Sequence, residues 1–246
     1  MHLQPIGHIE SPYLTKFGVP RQPGLVSSAD SRIVFDSAYA ADIEAMRLEP
    51  GDSIIVLWMF THNLKDANAW SKTVRPPLLG GTKRVGVFAS RSSFRPNALA
   101  LSCVQVRSCG HAGLSFSGGD MADGTPVFDL YPYIDERHRF CQAREGWRGE
   151  VAWPLMEQVI IPRKLVQRIP ASVRAGLYQV LRQDPRPAYT RDADENRVFW
   201  LVYDGFVVWF TVHERCLRVI DAVQASPQDV AYMRETGNVP DDWARS

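Results

Sequence analysis

The sequence lacks the common signatures of nucleotide chemistry. It has no G-x-G-x-x-G and no G-x-x-x-x-G-K-[ST], so neither a Rossmann turn nor a P-loop is supported. It has no H-E-x-x-H and no G-x-S-x-G, and Ser90, Ser92 and Ser93 sit in no nucleophile elbow. Cys103, Cys109, Cys141 and Cys216 form no C-x-x-C pair. That argues against a zinc ribbon, so no metal is expected and the cysteines read as free thiols of a cytoplasmic protein. No apolar run approaches the roughly 18 residues of a membrane span. The N-terminal MHLQPIGHIESPY has no basic stretch followed by an apolar one, so neither anchor nor secretory signal is expected. The net charge of +1 provides no whole-molecule field for a polyanion. Any nucleic-acid site must come from local clustering.

Such a cluster exists. From Ala67 to Gly119 there is no Asp or Glu, although the chain has 27 acids in 246 residues. The same stretch holds Lys72, Arg75, Lys83, Arg84, Arg91, Arg95 and Arg107. A segment of one sign fits a site for phosphates or carboxylates. The other reading is a set of solvated bases scattered round the fold and paired with distant acids. A second basic set runs through Arg163, Lys164, Arg168, Arg174, Arg182, Arg186 and Arg191.

The first part of the chain reads as strands joined by short polar turns: 3–9, 32–36, a buried strand at 53–60, 84–89, 98–108, 113–119 and 125–134. This favours a mainly β, barrel-like sheet over a βαβ array. A short helix is expected at 37–47, N-capped by Ser37. Composition changes near 140–152, which divides the chain into a β-rich unit, 1–145, and a smaller α+β unit, 150–246. In the second unit, 154–169 is helix-like but interrupted by Pro162. Residues 171–183 place Val173, Leu177, Val180 and Leu181 on one helical face. Asp204-Gly205 between two apolar runs predicts a tight hairpin. Ser226, Pro227 and Asp229 predict a capped helix start.

Three polar stretches carry candidate chemistry. GVPRQPG, Gly18–Gly24, is stiffened by two prolines around Arg21 and Gln22. It is a ligand loop or an ordinary rigid turn. MFTHN leaves a strand at His62-Asn63, where His62 is a base, a donor or a structural histidine. ADGTPVFD offers Asp123 beside a glycine, as a ligand acceptor or as an Asx-type turn.

Taken together, SPY, FGVPRQPGL, TVRPPLLGG, RVGVFASRSSFRPN, DGTPVFDLYPY and DPRPAY resemble the TrmO (YaeB/TsaA-like) family of tRNA methyltransferases, in the family's order from about residue 5 to 190. The resemblance implies a single-sheeted β-barrel that binds S-adenosyl-L-methionine without a Rossmann fold. It implies a homodimer with the cofactor near the interface. It implies N6-methylation of threonylcarbamoyladenosine beside the anticodon of threonine tRNA. Carried over by motif, the cofactor contacts are Pro20, Arg21, Gln22, His62, Asn63, Arg91, Leu101, Asp123, Gly124, Thr125 and Pro126. Asp184, Arg186 and Tyr189 of DPRPAY are expected to engage tRNA. The chain departs from the family in three places. Ala98-Leu99-Ala100 replaces Pro-Ile-Gly, Asn63 replaces Gln, and Tyr131 replaces Lys.

On this reading Arg91 meets an anionic group. Arg95 meets RNA phosphate or the threonyl carboxylate, since a guanidinium fork binds either in two-pronged fashion. Phe94 is placed to stack on a base of the anticodon loop, where bases are splayed for recognition. His62 and Asp123 are the candidate bases. A cofactor-binding regulator, or an RNA-binding module on the same barrel without this chemistry, remains the alternative.

Overall fold

The computed structural model describes residues 2–39, 43, 45–61, 70–139, 145–149, 151, 155–187, 190, 197–236, 238–240 and 243. His62, Asn63 and Tyr189 therefore lie outside the described residues, as do residues 40–42 and 44 of the helix expected at 37–47. Its first residues, 37–39, form a turn.

The N-terminal part contains β1 (Gly7–Glu10), β2 (Asp30–Phe35), β3 (Ser53–Met59), β4 (Thr73–Val74), β5 (Val85–Gly86), β6 (Leu99–Gly110), β7 (Gly113–Ser117) and β8 (Pro126–Pro132). Six of these close an antiparallel barrel in the order β1-β2-β7-β6-β3-β8, with β8 returning to β1. Closure removes free edges, and the interior is filled by every second side chain. Ile54, Val56 and Trp58 of β3 and Val104 and Val106 of β6 point inward with Ile9, Ile33, Leu114, Phe116 and Val127.

The expectation for 53–60 needs one correction. The run is apolar throughout, but only alternate residues are buried; Ile55, Leu57 and Met59 stay half-exposed on the outer face. Across the ladder they meet Tyr131 of β8 and Leu101 and Cys103 of β6, which are exposed. The strand expected at 84–89 is also shorter. Only Val85–Gly86 pairs, with β4, and a single 3-10 turn follows. The segment from 70 to 98 is thus an excursion from the barrel wall. It is pinched at its base by Phe60 N–H donating to Ala98 O (3.0 Å).

A short helix α1 (Asp135–His138) ends the N-terminal part; the C-terminal part contains β9 (Gln158–Ile160), α2 (Arg163–Val166), α3 (Ala171–Arg182), β10 (Phe199–Tyr203), β11 (Phe206–His213), β12 (Cys216–Gln224) and α4 (Pro227–Thr236). Residues before Pro162, expected as helix, instead form β9, which runs parallel to β12. The sheet order is β10-β11-β12-β9. Its two faces are both covered. Phe206, Val208 and Phe210 pack with Val173, Leu177 and Leu181 of α3. Val207 and Trp209 pack with Met233 of α4.

The two parts share packing through the β1–β2 connection. Tyr13, Val26 and Ala29, from the β1–β2 connection, lie in the α3-side core, and Leu14 lies in the α4-side core. Asp204 N–H donates to Pro12 O (2.8 Å). The loop that carries Pro20–Gln22 is therefore seated on the C-terminal sheet.

Candidate functional site

The 70–98 excursion folds over the outer end of β3 and β6, and the Pro20–Gln22 loop faces it. Between them lies a cleft of about 1410 Å³. Arg21, Arg75, Arg84, Arg91, Arg95 and Arg148 line it, and Asp120 is the one acid among its described lining residues. The acid-free stretch of sequence thus supplies four of those arginines. Phe88, Phe94, Trp58 and Trp147 add aromatic surface. Phe94 is 43% exposed and lines the cleft.

The arginines differ in how they are held. Arg95 Nη1 donates to Val87 O (3.1 Å) and Ser90 O (2.8 Å), and its guanidinium sits 5.7 Å over Phe88. Arg95 thus braces its own turn through Nη1. Arg91 Nη2 donates to Leu101 O and lies 3.9 Å from Asp120 Oδ2. Arg84 donates to Thr73 Oγ1 (2.9 Å), and Arg75 has no partner among the described residues.

Arg21 is oriented from behind. Its Nη2 donates to the carbonyls of Asp184 (3.2 Å) and Arg186 (3.1 Å). Asp184 and Arg186 form a buried two-pronged pair, Nε–Oδ1 2.8 Å and Nη2–Oδ2 3.1 Å. They are 2% and 8% exposed. In this fold they face inward and fix the carbonyls that receive Arg21. Desolvating such a pair is costly, and the interlocking fork and the Phe199 ring 5.8 Å from Arg186 offset part of that cost.

Asp123 is similarly committed. Its Oδ1 accepts from Ser11 N–H (2.9 Å), and its Oδ2 pairs with Arg234 Nε of α4 (2.7 Å). Its backbone N–H donates to Tyr13 O, and that of Gly124 donates to Ile9 O. Gly124, at φ +74°, permits this turn. Asp123, Gly124, Thr125 and Pro126 do not line the cleft; the turn caps the barrel end instead. Of Arg21, Arg91 and Asp123, the first two share the cleft and the third does not. With both oxygens engaged, Asp123 is poorly disposed to act as a base.

The carboxylate that does reach the cleft is Asp120, which the motif reading missed. It follows Gly118-Gly119 and is the first acid after the acid-free stretch, which is the signal that marked it. The Pro/Gly loop comes up against this corner, with Gly24 N–H donating to Gly118 O (2.8 Å). Asp120 Oδ1 accepts from Ser102 Oγ at 2.5 Å, and Ser102 in turn accepts from Trp58 Nε1 (2.9 Å). Burial raises the Asp120 carboxyl above the ordinary aspartate value; the Ser102 hydrogen bond and Arg91 pull the other way.

Two of the three departures from the family pattern are visible. Ala98 has φ +49°, a value closed to proline, so the turn after Arg95 is built differently from a Pro-containing one. Tyr131, in place of Lys, donates its hydroxyl to Asp129 Oδ2 (2.8 Å).

Residues 8–138 match the model of the tRNA-methyltransferase O N-terminal domain, and 153–225 match that of the TrmO C-terminal domain. An Escherichia coli protein named tRNA (adenine(37)-N6)-methyltransferase is 35% identical over 219 residues, which is 83% of this chain and 90% of that one. A Methanothermobacter thermautotrophicus protein named "Probable S-adenosyl-L-methionine-binding protein" is 30% identical over 136 residues, 55% of this chain and 92% of that one. The crystal structure of TrmO from Pseudomonas aeruginosa superposes with a TM-score of 0.70 at 26% identity, covering 91% of this chain and 98% of that one. The barrel, the C-terminal sheet and both matched models lead to one assignment: the chain belongs to the TrmO family.

Proposed function

We propose that the protein methylates N6 of threonylcarbamoyladenosine next to the anticodon of threonine tRNA, using S-adenosyl-L-methionine. The observation that carries this reading is the cleft itself. Pro20, Arg21, Gln22, Arg91 and Leu101, drawn from distant motifs, line one arginine-rich space with a single carboxylate among the described residues. Relatives named as an adenine-37 tRNA methyltransferase and as a binder of this cofactor support it.

The donor set fits the cofactor. Its carboxylate has arginines to meet, its cationic end has Asp120, and its adenine has aromatic and apolar wall. When bound, the cofactor supplies a methyl group on a positively charged sulfur. Arg21 and Arg91 orient anionic groups. Phe94 offers a stacking face to an unpaired base, a contact worth about 1–3 kcal/mol. Arg75 and Arg84 stand at the cleft for RNA phosphates or the threonyl carboxylate. Holding acceptor and donor in line supplies much of the rate of such a transfer. His62 and Asn63 belong to this proposal by motif alone. So do Tyr189 and the turn from Asp123 to Pro126, the latter reaching a ligand only from the barrel end.

The protein acts as a homodimer in this proposal. Ile55, Leu57, Leu101, Cys103 and Tyr131 form an apolar outer face beside the cleft, the kind of surface a second copy would cover. The division into a barrel unit and a C-terminal unit is retained, with residues 12–29 shared between them.

The test is incubation with cofactor and threonine tRNA, with and without the threonylcarbamoyl group, followed by mass spectrometry of nucleosides. A mass gain of one methyl on threonylcarbamoyladenosine only is expected. Cofactor binding without methyl transfer would point to a regulator. RNA binding with no heat on cofactor titration would point to a module without chemistry.

A further inference from the structure

We propose that Asp120 is the proton acceptor of the reaction, taking the hydrogen of the acceptor nitrogen on its Oδ2 while Ser102 holds Oδ1. The inference rests on the methyl-transfer reading above and adds a residue to it.

Four observations carry it. Asp120 is the one carboxylate among the described residues that line the cleft. Its side chain is only 7% exposed, so what exposure it has is at the cleft wall. Its two oxygens are unequal: Oδ1 is held at 2.5 Å by Ser102, itself fixed by Trp58. Among the described residues the side-chain neighbour of Oδ2 is Arg91, at 3.9 Å, which is beyond hydrogen-bond reach. A carboxylate with one oxygen pinned and the other turned to the ligand space is positioned to take a proton along a defined direction. Asp123, by contrast, has neither oxygen free.

The acceptor nitrogen is urea-like, with its lone pair delocalised, and it carries a hydrogen that must leave. The nitrogen forms its bond to the methyl carbon as the carbon–sulfur pair returns to sulfur. The N–H pair stays on nitrogen and the proton passes to Oδ2. Products are the methylated urea, a neutral thioether and a neutral carboxylic acid, which returns its proton to solvent. A base working as the N–C bond forms keeps positive charge off the nitrogen, an effect of about 10²–10⁴ in rate.

The groups that set the basicity of Asp120 are Ser102 on β6, Arg91 in the excursion and its own backbone N–H, and Asp120 in turn helps to raise the buried Tyr13 phenol of the β1–β2 connection. Ser102 favours the ionised form, so its removal must move the carboxyl further up. This gives a readout that a merely structural role would not produce.

The experiment compares wild type, Asp120→Asn and Ser102→Ala. First, carboxyl carbon-13 NMR titrates Asp120 in the free protein, with Asp120→Asn giving the assignment. Titration above the ordinary aspartate range is expected, and higher still in Ser102→Ala. Second, single-turnover methylation is measured against pH. Asp120→Asn should lose at least 100-fold in rate at pH 7.5 with S-adenosylmethionine and tRNA both saturating, so that any weaker cofactor binding does not enter the comparison. Ser102→Ala should keep turnover at high pH and move the acid limb upward. A rate in Asp120→Asn within threefold of wild type would overturn the proposal, as would an unmoved acid limb in Ser102→Ala. If Asp120→Asn does not fold, the Ser102→Ala titration and acid limb decide. Absence of methylation by wild type on modified tRNA would sink the methyl-transfer reading instead, which the wild-type arm reports separately.

Discussion

Asp120 and the Asp184–Arg186 pair are both buried acids, yet they do different work. Asp120 has Arg91 only at 3.9 Å, and burial dominates its titration. With a folded pKa above the ordinary 3.8, its protonated form contributes stability that is complete below that value. The contribution is lost as pH rises through the folded value. Asn carries no such charge. The difference in melting temperature between Asp120→Asn and wild type should therefore shift in favour of the variant as pH is raised from 4 to 8. A difference that stays flat over that range would contradict the burial argument. Residues kept at a cost to stability are expected where a site needs them.

Asp184 is held by a fork of two hydrogen bonds from Arg186. Replacing it with Ala leaves a buried guanidinium without its partner, at about 3–5 kcal/mol. Asp184→Ala should therefore lower stability by about 3 kcal/mol in urea unfolding. It should also weaken cofactor binding, because the carbonyls that aim Arg21 move with it. An unchanged cofactor affinity in a folded Asp184→Ala protein would show that Arg21 does not depend on this clamp.

At the scale of elements, local patterns were readable wherever a short-range rule applied. Asp204-Gly205 forms the hairpin turn with φ values of +49° and +73°. Ser226 caps α4, exchanging hydrogen bonds with Asp229. Helix α3 buries the face its periodicity indicated. What was not readable depends on distant partners. Gln158–Ile160 becomes a strand because β12 offers an edge to it. Val85–Gly86 is all that remains of an expected strand because the chain there leaves the barrel. Spacing could not say which of Asp120 and Asp123 turns toward the cleft, because that depends on Ser102 and Arg234, each far away in sequence.

Gly176 shows a similar limit. A glycine inside a helix costs about 1 kcal/mol relative to alanine, so propensity alone would favour its replacement. A Cβ there would overlap the hydroxyl of Tyr203, whose ring is 3% exposed and packed against Tyr13. Gly176→Ala should destabilise by about 1–3 kcal/mol through overpacking of α3 against β10. A rise in melting temperature would mean that the helix stands further from the sheet.

Over the whole molecule, a nearly neutral chain places six arginines, counted among the described residues, on one cleft. The β1–β2 connection joins this cleft to the C-terminal sheet, so loop position and C-terminal packing are coupled. Among the described residues no helix is long and apolar enough to cross a membrane. The apolar outer face of β6, β3 and β8 calls for a second copy in the proposed dimer. Ile55→Asp puts a charge at its centre without touching the barrel interior. Light scattering should give twice the chain mass for wild type and a single chain for this variant. A monomeric wild type would remove the dimer from the account.

The claim on which the account turns is that the Pro20–Gln22 loop and the Arg91 turn hold one ligand between them. A crystal structure with S-adenosylhomocysteine tests it most directly. The account predicts the ligand in the arginine-lined cleft, touching Pro20, Arg21 or Gln22 on one side and Arg91 or Leu101 on the other, with Asp120 facing its sulfur. A ligand bound elsewhere, with that cleft empty, would contradict it.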